Sequence, residues 1–154
     1  MQLRWHWPDE AACAASAAAL AAAMSAHPEN RDATIELHGP LGAGKTTFVR
    51  HLLRALGVSG RIKSPTYTVV EPYRAGELDI SHFDFYRFED ARELVDAGLR
   101  ETFAAPGLKL VEWPARAGAW RPRADLRLEF EPQADESRQV RVLALTPRGE
   151  ALLA

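Results

Sequence analysis

The hydrophobic positions along the chain follow two periods, which together predict an α/β fold with a mixed sheet. Apolar runs and two-residue alternation predict strands over residues 2–7, 33–38, 67–73, 78–86, 108–111, 126–130 and 140–144. A period of 3.6 residues or strong helix propensity predicts helices over residues 10–26, 45–56, 89–97 and 151–153. The short loop at residues 74–77 predicts an antiparallel hairpin. Gly57 and Gly98 predict the ends of two helices.

The alanine-rich segment near the N-terminus shares only its composition with a targeting sequence. Its flank, Pro8-Asp9-Glu10, is acidic where a secretory signal would be basic. The segment is also too short and too weakly apolar to span a bilayer. We therefore expect a helix packed closely on a neighbouring element, and no membrane association.

Length and composition favour a single globular domain and exclude several other classes of protein. A chain of 154 residues fits one domain, over residues 1–154, with enough material for a core. The 19 basic and 21 acidic residues give a net charge of −2, which argues against an autonomous nucleic-acid binder. The single cysteine, Cys13, excludes an intrachain disulfide and favours a reducing compartment.

The clearest chemical motif is a glycine-rich segment between a predicted strand and a predicted helix. Residues 39–46, which read Gly-Pro-Leu-Gly-Ala-Gly-Lys-Thr, match the phosphate-loop pattern G-x-x-x-x-G-K-[ST]. Glycines allow successive backbone N–H groups to point at phosphate oxygens, and the helix that follows adds its positive dipole end. Lys45 would contact the β- and γ-phosphates, and Thr46 would offer its hydroxyl to Mg²⁺.

A phosphate loop also needs a carboxylate for the metal, and the residue pattern leaves two candidates. Glu112 directly follows the apolar run 108–111, at the edge of the sheet where ligands bind in open α/β folds. Asp84 lies between aromatic residues, and its alternative role is a local salt bridge with Arg87. On spacing alone Glu112 could equally be a surface acid.

A loop at residues 64–67, Ser-Pro-Thr-Tyr, follows the phosphate-loop helix. In nucleotide switches a loop threonine such as Thr66 can contact the γ-phosphate or the metal. The simpler interpretation, which spacing alone favours, is a proline-containing loop that enters a strand.

Taken together, four motifs resemble the TsaE (YjeE) ATPases of bacterial tRNA threonylcarbamoyladenosine biosynthesis. Residues 41–47, 63–68 (Lys-Ser-Pro-Thr-Tyr-Thr), 82–87 (His-Phe-Asp-Phe-Tyr-Arg) and 111–114 (Val-Glu-Trp-Pro) occur in the order and spacing of that family. Many families share the phosphate loop, whereas the conjunction of the other three motifs is far more specific. The resemblance implies a cytoplasmic P-loop NTPase-like domain with a mixed β-sheet flanked by helices.

The resemblance assigns roles to individual residues. It implies that Thr46 and Glu112 hold Mg²⁺, that Asp84 is needed for hydrolysis, and that Thr66 belongs to a switch-like loop. The implied catalytic set consists of Lys45, Asp84 and Thr66. The residues implied to contact ATP or ADP are Glu10, Gly39, Pro40, Leu41, Gly42, Ala43, Gly44, Lys45, Thr46, Thr47 and Arg138.

The chain departs from the family pattern at two positions. Pro40 stands where the family usually has an acid, which removes a backbone donor from the loop without abolishing binding. Phe85 stands where leucine is common, and this change leaves Asp84 unaffected.

The resemblance also implies partners. The family works with a TsaD–TsaB assembly that modifies the adenosine beside the tRNA anticodon, so contact with tRNA would pass mainly through that complex. Slow ATP hydrolysis would reset the assembly between turnovers.

Two alternatives stay open on sequence. One is a small-molecule kinase in which Arg116, Arg121 and Arg123 form a lid. The other is a nucleotide-gated interaction module for which hydrolysis is dispensable.

Overall fold

The computed structural model describes residues 1–96 and 98–154, with only the backbone of Leu94, Asp96 and Trp120. The strands are β1 Gln2–Trp7, β2 Thr34–His38, β3 Val70–Ala75, β4 Leu78–Asp84, β5 Leu108–Glu112, β6 Leu126–Pro132 and β7 Arg138–Ala144. The helices are α1 Glu10–Ala26, α2 Lys45–Leu56, α3 Arg92–Asp96, α4 Leu99–Ala104 and α5 Pro147–Leu153. Short 3₁₀ segments cover Pro28–Asn30 and Pro114–Trp120.

Over these residues seven strands form one mixed sheet in the order β1-β7-β6-β2-β5-β4-β3. The central strand β2 runs parallel to β5 and β6, and β5 runs parallel to β4. The outer pairs, β1 with β7, β6 with β7 and β3 with β4, are antiparallel. The predicted mixed α/β sheet is confirmed. Because β2, β4 and β5 are parallel, the segments that follow them meet at one edge, where ligands bind in this class of sheet.

The alanine-rich helix packs against α2, as its composition predicts. Asp9 caps α1 by accepting a hydrogen bond from the Ala12 amide at 3.0 Å. Ala17 and Ala21 are buried, and small side chains at these positions allow a close approach of the two helices. The buried thiol of Cys13 belongs to the same core.

Aromatic rings join this core to the sheet. Trp7 of β1 stacks on Phe48 of α2 with ring centroids 5.7 Å apart, and both rings meet the edge of Phe130 from β6. A second, smaller core holds α4 and the 3₁₀ segment Pro114–Trp120 through Phe83, Phe103 and Ala117. The side-chain alternation of β4 separates the two cores, because Ile80 belongs to the first and Phe83 to the second.

The hairpin β3–β4 is antiparallel as predicted, but both of its strands are shorter than expected. Residues 67–69 form a turn, in which the Val69 amide donates to the Pro65 carbonyl at 2.8 Å and Val69 has φ 70°. The strand β4 ends at Asp84 because the next residues turn, with Phe88 N–H donating to Phe85 O at 3.0 Å.

The helix predictions between residues 89 and 104 are partly wrong. The first helix covers only Arg92–Asp96, and the predicted end at Ala97 lies outside the described residues. Gly98 is the residue before α4, a helix that the sequence pattern does not predict. It therefore stands at the start of a helix as well as after α3. The C-terminal helix begins earlier than expected, at Pro147, because Thr146 caps it through the Gly149 amide at 3.1 Å.

No helix among the described residues combines the length and apolar character that crossing a membrane requires.

Candidate functional site

The phosphate loop connects the C-terminal end of β2 to the first turn of α2. Gly42 and Gly44 have φ 75° and 104°, in the left-handed region that residues with a Cβ rarely adopt. Gly39 has a different constraint, because a Cβ there would lie 2.9 Å from the Cβ of Phe130. The loop is therefore shaped by backbone conformation at two glycines and by close packing at a third.

Lys45 is buried at the start of α2, with its ammonium folded back over the loop. Its Nζ donates to the Gly39 carbonyl at 2.5 Å and lies 3.7 Å from the centre of the Trp113 ring. Burial lowers the pKa of Lys45, and the nearby carboxylates of Glu112 and Asp84 oppose that shift. The positive charge is thus held by a carbonyl, an aromatic face and two acids.

Thr46 and Glu112 meet across the site as the resemblance implies. The Thr46 hydroxyl lies 3.0 Å and 3.1 Å from the two carboxylate oxygens of Glu112 and donates to that carboxylate. A third residue, His82, brings its Nε2 atom to 2.6 Å from Glu112 Oε2. Glu112 and His82 are both buried, so the carboxylate is fixed by polar contacts in a largely dry setting.

Asp84 lies beside Glu112 because β4 and β5 pair in parallel register, with Asp84 opposite Glu112. Its Oδ1 atom accepts a hydrogen bond from the Tyr86 amide at 2.9 Å. Burial raises the pKa of Asp84, and the negative charge of Glu112 adds to that rise, while the Tyr86 hydrogen bond, His82 and Lys45 lower it. Arg87 does not supply the local salt bridge considered above, because its guanidinium stacks on the Tyr67 ring, 4.5 Å from the centroid.

The loop that carries Thr66 is tied to the same strand. Val69 accepts a hydrogen bond from the Asp84 amide at 2.9 Å, and the Thr66 hydroxyl lies 2.7 Å from that of Ser64. Tyr67 is 82% exposed at this loop. A movement of the loop would therefore act on the backbone of Asp84.

One cavity of about 340 Å³ collects most of the predicted site. Its lining includes Leu41, Gly42, Ala43, Gly44, Lys45, Thr46, Thr47, Thr66, Asp84, Glu112 and Arg138. Gly39 and Pro40 form the start of the loop and are not among its lining residues. Tyr86 and Trp113 complete the wall.

A second cavity of about 430 Å³ adjoins the first, because Gly44, Thr47 and Arg138 line both. Trp7, Cys13 and Glu10 lie on its other sides. Burial, with a smaller contribution from Glu10, raises the pKa of the Cys13 thiol to about 11. Glu10 itself is exposed and contacts His51 Nε2 at 2.9 Å.

Arg138 connects the C-terminal hairpin to the phosphate loop. Its guanidinium donates to the Ala43 carbonyl at 3.0 Å and to the Gly42 carbonyl at 3.3 Å. Arg138 is thus bound to the backbone of the phosphate loop, and its predicted approach to the nucleotide stays a prediction.

Two arginines of the lid hypothesis, Arg121 and Arg123, contact groups away from the site, whereas Arg116 lies over the rings of Tyr86 and Trp113, which form part of the cavity wall. Arg116 donates to the Tyr86 and Phe88 carbonyls, Arg121 lies 3.4 Å from the buried carboxylate of Glu36, and Arg123 donates to Leu145 O. None of them lines either cavity beside the phosphate loop in the described part of the chain.

Sequence reasoning missed two contributors to this site. Trp113 enters the sequence pattern only as part of the motif at residues 111–114, but its ring lies over Lys45. His82 enters the sequence pattern only as the first residue of the motif at 82–87, and no group of three potential His, Cys, Asp or Glu ligands occurs among the described residues. The two-residue spacing of His82 from Asp84 places both side chains on one face of a strand, which is the signal that points to this region.

Comparisons with known proteins agree with the motifs. The family model described as threonylcarbamoyl adenosine biosynthesis protein TsaE matches residues 7–140. The TsaE protein of Haemophilus influenzae is 38% identical over 119 residues, covering 77% of this chain and 75% of that protein. The TsaE protein of Bacillus subtilis is 37% identical over 118 residues, covering 77% and 73%.

Structural similarity extends over almost the whole chain. The crystal structure of Bacillus subtilis YdiB matches with a TM-score of 0.78 and 30% identity, covering 99% of this chain and 92% of that one. The P-loop NTPase-like fold expected from the sequence is thus confirmed. With the family model matched from the end of β1 to β7, the chain belongs to the TsaE family of tRNA threonylcarbamoyladenosine biosynthesis proteins.

Proposed function

We propose that the protein is a Mg²⁺-dependent, slow ATPase that supports a TsaD–TsaB complex in threonylcarbamoylation of the adenosine next to the tRNA anticodon. The observation that carries this proposal is the convergence of Lys45, Thr46, Glu112 and Asp84 on one cavity at the end of the parallel strands. Membership of the TsaE family supplies the pathway, and the pathway supplies tRNA as the ultimate substrate.

The residues around Thr46 fit a magnesium ion. Mg²⁺ prefers hard oxygen ligands and is usually held by one or two protein groups together with substrate phosphates and water. The Thr46 hydroxyl and the Glu112 carboxylate are such oxygens, and their 3.0 Å contact brings them to one point beside the phosphate loop. Bound there, the ion would neutralise charge that develops on the β- and γ-phosphates.

The loop and Lys45 would bind the phosphates of ATP. The loop leads into the first turn of α2 at Lys45, where the helix dipole and the unpaired N–H groups of a helix N-terminus favour an anion. On binding, Lys45 would exchange the Gly39 carbonyl and the Trp113 ring for phosphate oxygens, which are stronger partners for an ammonium. The second cavity, between Trp7, Glu10 and Arg138, is the proposed position of the nucleoside.

Asp84 is proposed to orient the water that attacks the γ-phosphate and to accept its proton. A raised pKa makes this carboxylate a better proton acceptor than an exposed aspartate. Thr66, in the loop bonded to Asp84 through Val69, would complete the site when the γ-phosphate is present.

The two alternative functions, a small-molecule kinase and a nucleotide-gated module, make different demands on this site. A small-molecule kinase needs positive side chains over the phosphates, and this function is not favoured because none of Arg116, Arg121 and Arg123 lines either cavity. A nucleotide-gated module would use the same site without turnover, and the loop bonded to Asp84 is compatible with that function.

We propose that the protein acts in the cytoplasm. The proposed function is tested by co-purification and reconstitution with TsaD and TsaB. We expect ATP to change the amount of this chain retained by the TsaD–TsaB pair, and the Lys45→Ala variant to lose that response. Arg74→Ala, on the exposed β3–β4 hairpin, is the charge-removing control. Retention that is indifferent to ATP in every variant would reject the proposed coupling.

Multiple-turnover tRNA modification distinguishes hydrolysis from gating. Under the proposal, Asp84→Asn supports at most one round of modification per complex, whereas a gated module would support many rounds with the same variant. Phosphate transfer to a metabolite in place of phosphate release would favour the kinase.

A further inference from the structure

Behind the proposed magnesium ligand lies a buried histidine that none of the roles above uses. His82 is 1% exposed and lies on β4, on the same face as Ile80 and Asp84. Its Nε2 atom is 2.6 Å from Glu112 Oε2, while its Nδ1 atom is buried with no hydrogen-bond partner among the described residues. The ring is therefore held by a single polar contact, and that contact is to Glu112.

We propose that His82 is a positioning residue, which holds the Glu112 carboxylate in the orientation that binds Mg²⁺. The inference rests on the magnesium site of the proposed function. An ionised carboxylate only accepts hydrogen bonds, so the Nε2 atom is the donor in this contact. The histidine thus fixes one oxygen of Glu112 from within the protein, without itself being a ligand.

The need for this contact follows from the other partner of Glu112. Thr46 donates to the same carboxylate at 3.0 Å, but its oxygen would have to turn toward the ion when Mg²⁺ binds. That change removes the Thr46 hydrogen bond from Glu112. His82 would then remain as a hydrogen-bond donor to the carboxylate, because it does not need to move.

An apolar side chain would suit the local packing better than a histidine does. Ile80 and Leu110, on the same strand face and the opposite β5 position, are buried apolar residues. A histidine with one unpartnered nitrogen is costly in such a place, since buried polar atoms without partners destabilise the folded state. The hydrogen bond to Glu112 is therefore the contact that accounts for a histidine at position 82.

The experiment measures Mg²⁺ binding directly, without reference to turnover. The concentration of Mg²⁺ that half-saturates the ADP-bound protein is determined by calorimetry, and ADP affinity in EDTA is determined separately. Removing the hydrogen bond in His82→Phe is expected to raise the Mg²⁺ requirement about 10–100-fold, as for other groups that orient metal ligands. ADP affinity in EDTA is expected to stay within about twofold, since His82 does not contact the phosphate loop.

Two further variants separate a positioning role from a structural one. His82→Gln keeps an N–H donor at a reach close to that of Nε2 and should recover much of the Mg²⁺ affinity. His82→Asn has a shorter amide and should behave like the phenylalanine variant. If His82→Phe does not fold, the difference between Gln and Asn decides the proposal in its place.

Each result has a defined meaning. An unchanged Mg²⁺ requirement in a folded His82→Phe or His82→Asn variant overturns the proposal. So does an equal loss of ADP affinity in EDTA and in Mg²⁺, which indicates a structural role. Glu112→Ala is the reference: if it too leaves Mg²⁺ binding unchanged, the magnesium site of the proposed function is wrong, whereas a loss there with none in the His82 variants refutes only the positioning role.

Discussion

At the scale of single residues, Asp84 meets opposite requirements of folding and chemistry. A buried carboxylate is costly to ionise, and the same burial raises its pKa. A water-activating acid, by contrast, needs a charged oxygen in a partly dry site. The buried position of Asp84 at the end of β4 is the main cause of the raised pKa, and Glu112, opposite it in parallel register, adds to the rise.

The first prediction concerns hydrolysis. Asp84→Asn should retain ATP binding within about threefold and lose about 100-fold or more of the hydrolysis rate, in line with the usual effect of removing a general base. Asparagine keeps an oxygen for the Tyr86 amide, so local structure should be preserved. Phosphate release measured with saturating Mg-ATP checks this, and an unchanged rate would remove Asp84 from the proposed mechanism.

The second prediction concerns stability and its pH dependence. Because the pKa of Asp84 in the folded state lies above the ordinary aspartate value of 3.8, ionisation opposes folding at neutral pH. Asp84→Asn should therefore raise the melting temperature at pH 7.5. The gain should shrink as the pH falls below the raised pKa and vanish below about 3.8, where the acid is protonated in both states.

Thermal unfolding followed by circular dichroism at several pH values measures this gain. A lower melting temperature for Asp84→Asn at neutral pH would contradict the assigned cause, because it would mean that the ionised acid stabilises the fold.

At the scale of elements, segments with strong local signals are predictable from sequence, and segments fixed by tertiary contacts are not. The bounds of α2 agree with the sequence, since Gly44 and Gly57 flank an amphipathic pattern. The strand predicted over residues 67–73 is wrong in its first three residues. These aromatic and β-branched residues favour a strand, but Val69 is left-handed and its backbone bonds to Pro65 and Asp84.

The same distinction holds in the candidate site. Lys45, Thr46 and the glycines follow from a motif whose chemistry requires them. The contact between His82 and Glu112 joins residues 30 positions apart, so it depends on the parallel pairing of β4 and β5, which sequence spacing does not specify. The Lys45–Trp113 contact is likewise a consequence of sheet order.

A matched pair of glycine substitutions tests how the loop and helix are specified. Gly44 and Gly57 have nearly the same φ, 104° and 103°, at the two ends of α2. Alanine at either position should cost about 1–2 kcal/mol because of the left-handed backbone, which lowers the melting temperature by roughly 2–8 °C. Only Gly44→Ala should also weaken ATP binding.

Urea unfolding and nucleotide titration of both variants provide the comparison. A Cβ at Gly57 would meet open space, and one at Gly44 would have only Arg138 Nε nearby, at 3.8 Å, so steric clash is not the main cost in either variant. Equal ATP affinity in the two variants would contradict the role given to the Gly44 backbone.

At the scale of the whole molecule, the fold and the family comparisons agree, and the proposed activity depends on one edge of the sheet. The mixed sheet brings the ends of β2, β4 and β5 to one edge, and the two adjoining cavities lie beside the phosphate loop there. The net charge of −2 argues against an autonomous nucleic-acid binder, which agrees with the proposal that partner proteins make the main contact with tRNA. Everything proposed for those partners depends on nucleotide binding at this edge.

The most direct test is therefore calorimetric titration of Mg-ATP into the unmodified protein and into Lys45→Ala, with Arg74→Ala as the control. Lys45 should make charge-assisted contacts with two phosphates, so its removal should cost about 3 kcal/mol or more, roughly 100-fold in affinity. We expect saturable binding to the unmodified chain and to Arg74→Ala, and a loss of that size in Lys45→Ala. Equal affinity in all three proteins, or no binding to the unmodified chain, would contradict the proposed nucleotide site.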